Sequence, residues 1–158
     1  MEHPKDVGDR TALTVMLVLR EVGYEVLVPF GENTRYDLVI DDGHSLSKVQ
    51  CKTGRLRGGA VRWSMCSNYA HHPNPRIRHR DYHGEVDFFA VFCRETTGVY
   101  LIPMTQLPLH REGALQVVAP RNNQKKGIRY AADYEIGRVQ MHTPDSRANL
   151  RGVHEVVA

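Results

Sequence analysis

A chain of 158 residues suits one domain, long enough to bury a core and too short for two, so one active site per chain is the natural limit. A formal charge of +3 is too mild to settle a nucleic-acid role, which the distribution of charge has to decide. No apolar run is long enough to span a bilayer, the opening "MEHPKDVGDR" lacks a signal-peptide pattern, and the three cysteines, Cys51, Cys66 and Cys93, have no CxxC spacing that would indicate a disulfide framework or structural zinc. These features predict a soluble, cytoplasmic protein, not bound to a membrane, with three buried or half-buried thiols.

The first element is a helix from Asp9 to Val22. Ala12, Leu13, Val15, Met16, Leu17, Leu19 and Val22 recur at helical spacing, with Gly23 where a helix would stop. "YEVLVPF" then reads as a strand, "GENTR" as a turn, and "YDLVID" and "LSKVQCKTG" as two strands joined by the turn "DGHS". "GGAVRWSMCS" is a further strand, with Val61, Trp63 and Met65 alternating against Arg62, Ser64 and Cys66. Asn68 to Gly84 has no apolar periodicity and reads as a long loop. "EVDFFAVFCRETTGVYLIPM" gives two strands about "ETTG", apolar enough to be buried on both faces. A polar, basic stretch from Ala119 leads into one short helix, and 141–158 is a loosely held tail after a domain spanning 1–140. The order predicts an α/β domain with a central mixed sheet flanked by helices.

The chemistry is concentrated in "RYDLVIDDGHSLSKVQCKTGR". Side chains alternate along a strand, so Gln50 and Lys52 share one face and Cys51 takes the other. If Asp37 lies across the hairpin from Gln50, a carboxylate, an amide oxygen and the Cys51 carbonyl meet at one point. These are hard oxygen donors of the kind that Mg²⁺ or Mn²⁺ prefers. Lys52 could then orient a water and neutralise charge on a phosphate. A Q-x-K on a solvated strand is commonplace, but Asp37 stands among Tyr36, Leu38, Val39 and Ile40, where a carboxylate is disfavoured without a role.

These residues carry a resemblance. "YDLVID…VQCKTGR", preceded by "LVPFGENTR" and followed by "YHGEVDFFAVFCRETTGVYLIP" and "NNQKKGIRYAADY", resembles the PD-(D/E)XK nuclease superfamily, with its restriction-endonuclease-like core, and within it the group I intron-associated homing endonucleases. The likeness runs from about Gly8 to about Tyr134. It implies Mg²⁺-dependent hydrolysis of double-stranded DNA at a long target, with Mn²⁺ able to substitute, and homo-oligomers, dimers or tetramers, that bring active sites to both strands. It puts Asp37, Gln50 and Lys52 at the catalytic positions. It also calls for a glutamate on the first helix, at a position that falls on Ala12. Alanine cannot hold a metal. Three explanations stay open: Asp9 takes over as ligand, although it also reads as a helix N-cap; the protein binds DNA without cutting it; or Ala12 is an engineered replacement of a glutamate.

Charge distribution locates the DNA. Arg55, Arg57, Arg62, Arg76, Arg78 and Arg80 face a single acid, Asp81, between residues 55 and 83. Arg62, Ser64, Ser67 and Asn68 are candidates for base contacts from a strand, the loop arginines and histidines for phosphate contacts, and Arg35 is a further candidate for DNA binding. A second patch comprises Arg121, Asn122, Asn123, Gln124, Lys125, Lys126 and Arg129. His71, His72, His79 and His83 have no accompanying ligands at metal spacing, and Glu85 and Asp87 read as loop-holding residues. The rival functions are a Holliday-junction resolvase, a restriction-like nuclease, and a catalytically inactive DNA-binding module.

Overall fold

A computed structural model describes residues 1–31, 33–69, 78–108, 111–122 and 126–141, with backbone only for 67–69 and 78–81. Helix α1 spans Pro4–Glu21 and starts earlier than its apolar pattern. Proline at the first helical position supplies a suitable φ and lacks an N–H that would go unbonded, while His3 accepts a hydrogen bond from the Lys5 N–H at 3.2 Å. Asp9 therefore lies inside the helix, exposed to solvent, and is not its N-cap. The helix ends at Gly23, whose φ of +101° a glycine adopts without strain.

Strand β1 is Glu25–Leu27, β2 Leu38–Asp41 and β3 Leu46–Arg57. In the β2–β3 turn, Asp42 Oδ1 accepts from the N–H groups of His44 and Ser45, each at 2.8 Å, and Gly43 takes a φ of +87°. β3 runs beyond the predicted strand and turns at Gly58–Gly59 into β4, Ala60–Ser64. The predicted strand through Cys66 breaks at Met65: β5, Cys66–Tyr69, pairs antiparallel with β6, Arg78–Asp81, in a separate two-stranded sheet. The stretch read as a loop from Asn68 thus contains part of a hairpin. Standing apart from the main sheet, its arms need no apolar alternation to form. Strands β7, Phe88–Cys93, and β8, Gly98–Pro103, match the expected pair. Two strands were not anticipated, β9 at Glu112–Gln116 and β10 at Glu135–Arg138. The short helix is a 3₁₀ turn at Ala131–Asp133, and the tail from 142 lies outside the described residues.

The main sheet runs β1-β2-β3-β7-β8-β10, antiparallel except for the parallel pair β3 and β7, and β4 and β9 extend from the far half of β3. α1 covers one face, packing Val15, Val18 and Leu19 on Leu38, Ile40, Val49, Ala90, Phe92 and Val99. The other face carries Val61, Trp63, Tyr82, Phe89, Val91, Tyr100 and Ile102. The sheet is mixed, as predicted, but among the described residues a single α-helix flanks it. The β4–β9 arm takes the place of a second helix, since Val61, Trp63 and Leu115 already bury that face.

Candidate active site

The β2–β3 ladder ends at Leu38↔Val49, with Asp37 one residue beyond. There the main-chain N–H of Asp37 still donates to Val49 O at 2.9 Å, but its side chain replaces the next rung: Oδ2 accepts from the Cys51 N–H at 2.8 Å. A strand residue directs its N–H and C=O to the same side, so the Cys51 carbonyl shares the edge of β3 that holds the Asp37 carboxylate. Leu38 and Ile40 face α1, which puts Asp37 on the opposite face. Gln50 and Lys52 lie on that face too, opposite Phe89 and Val91 of β7 in register. Burial raises the pKa of Asp37, partly offset by the Cys51 hydrogen bond and by Lys52. Burial in turn lowers the pKa of Lys52, and Asp37 opposes that shift. Each stabilises the other's charged form, Lys52 half-buried and Asp37 still open to solvent.

Lys52 Nζ donates to Cys66 O at 3.3 Å, lies 3.5 Å from Tyr82 Oη and sits 4.8 Å from the centroid of the Tyr82 ring. The guanidinium of Arg35 stands 4.2 Å from the same centroid and is ion-paired through Nε with Glu85. Tyr82 is buried and meets Phe89 edge-on, with centroids 5.7 Å apart at 82°. The tyrosine's part went unseen in the sequence, where its one signal is an aromatic set in the polar run "HRDYHGE".

A family model described as PD-(D/E)XK endonuclease matches residues 2–137. The chain belongs to the PD-(D/E)XK endonuclease family. Among solved structures, a bacterial homing endonuclease, I-Ssp6803I, is similar to it with 25% sequence identity and a TM-score of 0.67, over 85% of this chain and 89% of that one. No curated protein sequence matches.

In this PD-(D/E)XK chain the donors suited to a divalent cation are the Asp37 carboxylate, the Gln50 amide oxygen and the Cys51 carbonyl. Asp37 Oδ1 has no hydrogen bond among the described residues, so this donor set fits a small, hard cation that keeps several waters. Among the described residues there is no cluster of three or more His, Cys, Asp or Glu side chains arranged for a metal. The Thr11 and Thr53 hydroxyls hydrogen-bond at 2.6 Å and fix α1 on β3. That bond holds α1, and with it the half-buried Ala12, on the face of β3 opposite the Lys52 side chain.

The predicted DNA contacts divide by location. Arg55 and Arg57 alternate with Gly54 and Leu56, and Arg55 pairs with Arg62 in register, so these arginines occupy the opposite face of β3 from Lys52. Glu112 accepts from both Arg57 and Arg62, each at 3.0 Å, an acid that β9 brings from far along the chain. Ser64, at the end of β4, is exposed. Arg129 Nε donates to Gln106 O at 2.6 Å. Arg121, Asn122 and Lys126 are exposed. The side chains of Ser67, Asn68, Arg78 and Arg80, and all of Arg76, Asn123, Gln124 and Lys125, lie outside the described residues. Asp87 bridges the starts of two strands, its Oδ2 accepting from the Lys48 N–H at 2.7 Å and its own N–H donating to Lys48 O at 2.9 Å.

Proposed function

We propose that the chain is a site-specific, homing-type endonuclease that hydrolyses double-stranded DNA with Mg²⁺, of the kind associated with group I introns, and that it works as a homo-oligomer. The observation that carries this reading is the junction where β2 leaves β3: one carboxylate, one open carbonyl edge and one desolvated lysine gather where two strands part. In this reading Asp37, Gln50 and the Cys51 carbonyl hold the cation. A cation held by these groups would supply positive charge to the phosphorane-like transition state and would lower the pKa of a water ligand. Lys52, tethered to Cys66 O, holds the attacking water and presents its N–H donors to the phosphate. Asp37 is oriented for its task by the Cys51 N–H rather than by a second carboxylate. A single junction of this kind serves one strand of a duplex, which is the reason to infer an oligomer.

Ala12 favours a second reading, a DNA-binding module that does not cut, because the helix position at which the family resemblance calls for a glutamate offers no ligand. The test is selection from a plasmid library carrying a randomised target, incubated with Mg²⁺. Recovery of cuts at one long, defined sequence supports the homing reading. Cuts at branched substrates regardless of sequence would favour a junction resolvase, and cuts at a short motif a restriction-like enzyme.

A further inference from the structure

Two cations converge on one aromatic ring at the edge of the site. Arg35 precedes Asp37 by two residues in the segment leading into β2, Lys52 is on β3, and Tyr82 follows β6, so three separate segments build the arrangement. The ring centroid is 4.2 Å from the guanidinium carbon and 4.8 Å from Nζ. Bringing like charges together out of water is unfavourable unless other groups stabilise them. The aromatic face does part of this through its quadrupole. Glu85 pairs with Arg35, and Asp37 interacts with Lys52. A fold in need of stability alone would be served as well by apolar residues here, since Tyr82 already packs on Phe89 and Trp63 also packs on Phe89. An anion able to accept from both cations at once would complete the arrangement. A phosphate group, with several oxygens around one centre, offers acceptors to a forked guanidinium and to an ammonium that share one ring and feel each other's charge.

We propose that Arg35 and Lys52, carried together on the ring of Tyr82, form one seat for a phosphate group, the phosphodiester that is cut. The seat rests on the reading of Lys52 given under the proposed function, and it adds Arg35 as a second contact to that phosphate. Tyr82 is then a positioning residue. It touches no substrate and sets the distance between two groups that do. Glu85 keeps the guanidinium turned toward the ring until the phosphate arrives.

The test uses inorganic phosphate as probe and needs no cleavage. The Lys52 ammonium and the Arg35 Nε–H are followed by ¹H–¹⁵N NMR, assigned by Lys52→Arg and Arg35→Lys, while phosphate is titrated into the full chain. One seat predicts that both resonances move along a single binding curve. Tyr82→Phe, which keeps the ring, should retain that curve within about threefold. Tyr82→Leu, which keeps much of the bulk but loses the ring, should weaken it at least tenfold and uncouple the two resonances. Far-ultraviolet circular dichroism and melting of each variant identify any that fail to fold, and Tyr82→Met serves as a second variant without the ring. Resonances that move with different curves, or binding by a folded Tyr82→Leu or Tyr82→Met protein equal to that of the parent, overturn the proposal. Loss of DNA cleavage in Lys52→Ala is a separate measurement. If cleavage survives that change, the functional reading fails. If it is lost while phosphate binding ignores Tyr82, only the seat fails.

Discussion

Asp37 and Lys52, the pair on which the proposed cutting site rests, are held differently from a simple surface ion pair. Each depends on a main-chain partner for its orientation, Cys51 N–H for the carboxylate and Cys66 O for the half-buried ammonium. Asp37→Asn preserves the shape and removes the charge, so cleavage should fall by more than about a hundredfold while the melting temperature barely moves, because the side chain is open to solvent and an asparagine oxygen can still accept from the Cys51 N–H. Gel-based cleavage beside differential scanning calorimetry would check both halves of that statement. Gly54 shows the cost of adding even one carbon nearby. A Cβ there would meet Val61 Cγ1 at 2.7 Å and Val91 Cγ1 at 2.8 Å, both in the core. Gly54→Ala should therefore destabilise the fold by about 1–3 kcal/mol, measured by denaturant titration. Of these residues, Asp37, Gln50 and Lys52 were legible in the sequence because a carboxylate amid apolar residues and a Q-x-K at strand period are visible one-dimensional signals. Tyr82 was not. Its role exists only once the fold brings Tyr82 to Lys52, thirty residues away in the chain.

Elements that the sequence disclosed share a strong period, and those that escaped have a physical reason. α1, the β2–β3 hairpin and the β7–β8 pair each bury a continuous apolar face or a well-defined turn. β9 and β10 are short, and each contains a glycine where a neighbour needs space. The Trp63 ring packs over Gly113, and Val18 Cγ1 would lie 2.7 Å from a Cβ on Gly137. A glycine contributes no side chain to a pattern, so the alternation that marks a strand is lost where packing is tightest. The early start of α1 was missed for a related reason: its first turn, Pro4 to Val7, faces solvent for the most part and shows no period. Thr11→Val should loosen α1 on β3 by about 1 kcal/mol through loss of the hydrogen bond to Thr53, seen as faster amide exchange in the first turns of the helix. The Asp42 turn should be sensitive to acid. Its carboxylate accepts from Ser45 and His44, which hold its pKa below the ordinary value. A depressed folded-state pKa means that the contribution is present above the unfolded-state value and is lost as pH falls through the folded one. Asp42→Asn should flatten stability against pH in that acidic window, and an unchanged profile would count against the turn's contribution.

For the whole molecule, a net charge of +3 is too small to gather DNA unaided, so binding depends on where the basic groups sit. Lys52 and Arg35 occupy one face of the sheet, and Arg55, Arg57 and Arg62 the opposite face of the β3–β4 ribbon, where Glu112 ties two of them down. A group that grips a phosphate should, when replaced by alanine, reduce the salt dependence of binding by about one unit of slope and weaken all sequences alike. Arg55→Ala and Lys126→Ala, compared across salt concentrations by fluorescence anisotropy, therefore report whether the α1 face of the ribbon and the segment before Gly127 lie on the duplex. The family and the α/β fold were legible as a resemblance because they rest on the order of elements and the motif. The division of charges between two faces was not, because it follows from the register of β3 with β4. The central claim, that the junction of β2 and β3 is a metal-dependent cutting site, is tested most directly by Mg²⁺-dependent cleavage of the selected plasmid, comparing this chain with its Ala12→Glu variant and adding Lys52→Ala to each. Cleavage is expected in at least one background with Lys52 present, and in neither with Lys52→Ala. Cleavage that survives Lys52→Ala would contradict the claim, as would a parent chain and an Ala12→Glu variant that both bind the target and leave it uncut.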